Sequence, residues 1–315
     1  MSSPRKIEPG GLATRDSRLA TPSDHHLHFE GCLFPATLIR IAGKDAAAAL
    51  RHPPGTGLAG FLACLRDQLR LLATDAAFEA ALDGFVLYLK QQQLARAEVF
   101  FSPLIYDKVG YSSESALARL AARIPQFPAG TLFVFDTVRQ FGPGAAERVV
   151  ELAAQWRDRL PIAAVGMGGD EAAIPAREFR TAFDEARKFG FGLTCHAGEA
   201  GPARSVWEAL DELGAARIGH GLAAAGDPAL LQRMKKDAIA IECCPASNLA
   251  LGLVEKFAVH PVHQFLKAGI PILPGADDPA VFGVESKLEW ARVAAVAGAE
   301  KLEGWSAEYG WKLPS

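Results

Sequence analysis

The chain has 315 residues, half of them hydrophobic and 22% charged, with a formal net charge of −3. That balance argues against nucleic acid or an anionic membrane as partner, and no run of like charges stands out as a binding tail. Five cysteines without disulfide-like spacing read as reduced, buried thiols of a cytoplasmic protein.

Residues 1–23 are polar and interrupted by Pro4, Pro9, Gly10 and Gly11. They lack the apolar core of a signal peptide and read as an N-terminal tail. Residues 24–315 read as a single domain, with no apolar run long enough to span a bilayer. Strands are expected at His26 to His28, Glu98 to Ser102 and Leu132 to Phe135. Between the first two, Asp45 to Gln93 exceeds one barrel helix and contains Pro53 and Pro54. It reads as a helical excursion near the mouth.

The second half alternates strand and helix. Strands are expected at Pro161 to Met167, Leu193 to His196, Arg217 to His220, Ala238 to Glu242 and Ile270 to Pro274. Helices are expected at Pro175 to Phe189, Pro202 to Leu213, Pro228 to Lys236, Pro261 to Lys267 and Ser286 to Ala297, with Asp227 capping the third. Eight strand–helix units over roughly 250 residues suit an α/β fold of the (β/α)8 TIM-barrel type, with extra helices near the mouth. An open doubly wound sheet uses the same units, but no G-x-G-x-x-G follows the first strand.

Histidines recur where these strands end. His26 and His28 are two apart on a strand and face the same way, whereas His25 should point outside the barrel. His196 and His220 each close an apolar run, and Asp277-Asp278 follows the last strand. The C-terminal rim is where barrel enzymes carry their chemistry. His26, His28, His196 and Asp277 offer three nitrogens and an oxygen, a donor set suited to one zinc ion. His220 could then orient a metal-activated water and accept its proton, and Glu199 could deliver a proton to the substrate. Another barrel metallohydrolase, or an inactive binding relative, would share parts of this inventory.

The motifs His26-Leu27-His28-Phe29-Glu30-Gly31, His196-Ala197-Gly198-Glu199, Ile218-Gly219-His220-Gly221, Cys244-Pro245-Ala246-Ser247-Asn248 and Asp277-Asp278-Pro279 resemble, in order, those of the adenosine deaminase family. Gly168-Gly169-Asp170-Glu171 resembles the family's fourth-strand segment. The resemblance covers roughly Asp24 to Glu289. It implies zinc-dependent hydrolytic deamination of a small-molecule 6-aminopurine, with Glu199 protonating ring N1. It also implies that Asp278 contacts N7, that the Gly169 backbone contacts N3 and that Glu30 meets the ribose 5′ side. Glu30 stands where adenosine deaminases proper carry aspartate, and relatives resembling adenine or aminodeoxyfutalosine deaminases share the glutamate. A nucleoside, adenosine or a 5′-modified adenosine, is the expected substrate, with adenine as the alternative.

Overall fold

Strands buried on both faces require nearly continuous apolar sequence, without alternation of polar residues. Val99, Phe100 and Phe101 meet that requirement, being successive and fully buried, and every residue of Ile162–Gly168 is buried as well.

The computed structural model describes residues 21–45 and 55–314. Among them, eight parallel strands follow one another in chain order: β1 (Ser23–His28), β2 (Arg96–Phe101), β3 (Thr131–Val138), β4 (Ile162–Gly168), β5 (Gly192–Ala197), β6 (Arg217–His220), β7 (Ala240–Cys243) and β8 (Ile272–Pro274). Past β8 the chain returns to β1: Asp277 N–H donates to the His26 carbonyl at 2.7 Å, and His28 N–H donates to the Asp277 carbonyl at 2.8 Å. This bridge joins the last strand to the first, so the fold is a (β/α)8 barrel of the TIM type and the open sheet is excluded.

Gly275 makes that closure possible. A Cβ there would stand 2.4 Å from His26 Cβ and 2.7 Å from the His26 carbonyl oxygen, closer than packing allows.

The long segment before β2 divides in two. The helix Gly57–Leu69 lines the mouth, as expected, whereas Asp75–Gln92 packs in the outer helical layer against Pro35–Ala42 and Ser113–Arg123. Pro53, Pro54 and most of the polar tail lie outside the described residues. The stretch expected as one helix from Pro175 to Phe189 is a short 3-10 turn (Ala176–Phe179) followed by the helix Arg180–Lys188. Asp227 caps the helix Pro228–Lys236 as expected, accepting from the Ala229 and Leu230 amides. A further helix, Ala299–Tyr309, was not evident from the sequence and packs against β8. No helix among the described residues is long and apolar enough to cross a membrane.

His25 departs from expectation. A bulge between Asp24 and Leu27 breaks the alternation of β1, and His25 Nδ1 lies 3.1 Å from Glu98 Oε2 instead of facing away. Glu98 belongs to a buried floor. It accepts from Arg217 Nη1 at 2.5 Å and from the Trp311 backbone N–H at 2.7 Å, while the Arg217 guanidinium lies 3.7 Å from the Trp311 ring centre. Arg217 and His25 hold the Glu98 carboxyl well below its ordinary range, against the opposing effect of burial.

Candidate active site

The rim gathers the predicted side chains. His26 Nε2 lies 2.9 Å from His196 Nε2, and His28 Nε2 lies 3.2 Å from each. His26 Nδ1 is 2.8 Å from Glu242 Oε2, and His196 Nδ1 is 3.2 Å from the Met167 carbonyl. Those acceptors require N–H at Nδ1, which leaves the Nε2 lone pairs of His26 and His196 facing one another. Burial, with His26 beside it, pulls His28 down to about 3, and the same causes hold His196 well below its ordinary value. Neutral imidazoles converging in this way repel unless a cation lies between them. Nitrogens at ~2.0–2.1 Å from one zinc ion would stand roughly 3.3 Å apart, so the donor set fits.

Asp277 completes the set. Its Oδ1 is 3.6 Å from His28 Nε2 and 3.9 Å from His26 Nε2. Burial would raise its carboxyl, but the neighbouring imidazoles, His220 foremost, hold it at about 2. His220 Nε2 is 3.9 Å from Asp277 Oδ2. Both residues have left-handed backbones, with φ of 60° at His220 and 63° at Asp277. Such conformations cost about 1–3 kcal/mol each and concentrate where side chains must be aimed.

Glu199 follows β5, with Oε1 3.6 Å from His220 Nδ1. Burial pushes its carboxyl up to about 7 against the pull of His220. Glu171, whose role the sequence did not reveal, fixes the loop: its carboxylate accepts from the amides of Gly198, Glu199, Ala200 and Gly201 at 2.6–3.1 Å. Asp278 is buried, and burial together with Asp277 raises its carboxyl well above the ordinary range. Gly31 leaves room for it, since a Cβ there would lie 2.0 Å from Asp278 Oδ1.

A cavity of about 520 Å³ opens over these groups and reaches Glu30, Gly169 and Asp278. The mouth helix lines it with Leu58, Phe61, Leu62 and Leu65, and also with Arg66 and its C-cap residue Arg70. Glu30 Oε1 accepts from the Ser102 amide and the Tyr106 hydroxyl, each at 3.0 Å. Glu30 Oε2 and Asp136 Oδ1 are buried without a hydrogen-bond partner among the described residues. Burial pushes Glu30 up to about 7 and Asp136 well above its ordinary value. Asp136 and Glu242 carried no assignment from sequence, although a carboxylate inside an apolar strand is the signal that could have singled out each.

Fold and site together define a metal-dependent barrel hydrolase. A family model described as adenosine deaminase matches residues 22–307. An adenine deaminase from Chelativorans sp. is 32% identical over 285 residues, covering 88% of this chain and 87% of the relative. An adenosine deaminase from Edwardsiella ictaluri is 33% identical over 306 residues, covering 91% and 90%. The crystal structure of adenine deaminase from Arthrobacter aurescens superposes with a TM-score of 0.80 at 25% identity, covering 92% of this chain and 93% of that one. The chain belongs to the adenosine deaminase family and is an aminohydrolase.

Proposed function

We propose that the protein hydrolyses the exocyclic amine of a 6-aminopurine, taking up water and releasing ammonia and the 6-oxopurine. The observation that carries this reading is the convergence of three imidazole nitrogens within 3.2 Å of one another beside the protonatable Glu199. His26, His28, His196 and Asp277 would hold zinc, which when bound supplies a water acidic enough to ionise near neutral pH. Glu199 delivers a proton to ring N1 as C6 becomes tetrahedral, and His220 orients the water. Asp278, carrying a proton, donates to N7, and the Gly169 amide meets N3.

The free base is the substrate we favour. Adenine presents N9–H where a nucleoside carries its sugar, and the unpartnered Glu30 Oε2, when ionised, is an acceptor for such a donor. The Chelativorans relative, an adenine deaminase, supports the same choice. This departs from the expectation of a nucleoside, because one Glu30 oxygen is already committed to Ser102 and Tyr106. A second reading, a nucleoside, draws on the size of the cavity and on the Edwardsiella adenosine deaminase. Measuring kcat/KM for adenine, adenosine and aminodeoxyfutalosine with zinc-loaded protein separates them. A value for either nucleoside above that for adenine overturns the free-base choice, and no ammonia from any of the three overturns the reaction.

A further inference from the structure

Behind His220 and Glu199 lies a hydrogen-bonded pair, Asn248 and His260, both buried. The Val262 N–H donates to His260 Nδ1 at 3.0 Å. Burial pulls this imidazole down to about 4, so near neutral pH it carries a single proton, on Nε2. That N–H points at Asn248 Oδ1, 3.2 Å away. The Asn248 amide is thereby fixed in one of its two orientations, with Nδ2 toward the site. Nδ2 lies 3.2 Å from His220 Nδ1 and 3.4 Å from Glu199 Oε1.

A donor aimed at both atoms selects their unprotonated forms. A hydrogen on His220 Nδ1 or on Glu199 Oε1 would face that donor, which leaves His220 Nε2 and Glu199 Oε2 as the places for their protons. We propose that Asn248, locked by His260, is a positioning residue that keeps the protons of His220 and Glu199 on the atoms turned away from it and toward the reaction. The inference rests on the reading of Glu199 as proton donor given above.

The test is the ¹⁵N spectrum of His220 in zinc-loaded protein, which reports the tautomer without turnover. Wild type should show the Nε2–H form, and the Nδ1–H form would overturn the proposal even if Asn248 variants fail to fold. Asn248→Asp replaces the donor by an acceptor of the same shape. It should convert His220 to Nδ1–H and lower kcat by about 10²-fold, with zinc content and KM little changed. His260→Gln, which can still donate, should retain more activity than His260→Phe. Loss of kcat below roughly threefold in Asn248→Asp, or equal losses in the two His260 variants, would overturn it. Because the spectrum needs no substrate, a wrong substrate assignment leaves this result readable.

Discussion

Glu242 Oε2 accepts a hydrogen bond from His26 Nδ1 at 2.8 Å, with both side chains fully buried. A carboxylate on the far nitrogen fixes the tautomer of a metal-binding imidazole and raises its basicity. Glu242→Gln should therefore weaken zinc binding by about 10–100-fold while the fold persists. Competition with a chelator measures this, and unchanged affinity would rule out the tuning role.

Glu199→Gln keeps the shape of the side chain but removes its acidic proton. Zinc content and melting temperature should stay near wild type, while kcat falls by about 10²–10⁴-fold. Retention of more than roughly a tenth of kcat would make the assigned role untenable.

The same carboxyl sets a pH dependence. Burial raises Glu199 to about 7, and the proton donor proposed above would be active in its protonated form. Activity should thus be present below this value and decline as pH rises through it, the sign expected of a required acid. A kcat/KM profile that climbs steadily from pH 6 to about 8.5 would contradict the assignment.

Asp278 and purine N7 can attract only if one carries a proton, and burial beside Asp277 favours the protonated acid. 7-Deazaadenine, with carbon at that position, should bind more weakly than adenine to wild type and equally to Asp278→Ala. Inhibition constants for both ligands decide it, and equal wild-type affinities would remove the contact.

Glu171 holds four consecutive backbone amides around Glu199. Glu171→Ala should lower kcat at least about 10-fold with zinc retained, since misplacing a catalytic group is costly. Metal analysis alongside kinetics checks this, and wild-type kcat would show that the loop holds itself.

The barrel was legible because parallel strands demand apolar runs and the helix stops are marked by residues such as Gly190 and Gly269. The clustered histidines were legible because they end those runs. His25 was misplaced because a bulge depends on how β1 pairs with its neighbour, not on its own sequence. Glu171 and the Asn248–His260 pair act on Glu199 and His220 through contacts distant in the chain, and spacing carries no trace of such contacts. The orientation of His220 was equally hidden, since its left-handed backbone overrides strand alternation.

The barrel floor links the site to the far end of the sequence. Arg217 reaches Glu242 at 3.4 Å, and also bonds Glu98 and the Tyr309 carbonyl, beneath the Trp311 ring. During synthesis His26, His28, His196 and Asp277 all emerge before residues 309–311. The three histidines thus exist as chain well before the contacts that steady Arg217, and through it Glu242 and His26, can form, while Asp277 follows only 32 positions ahead of Tyr309. Zinc met by the growing chain would encounter a less rigid set of donors than zinc met by the protein after residue 311 has folded back.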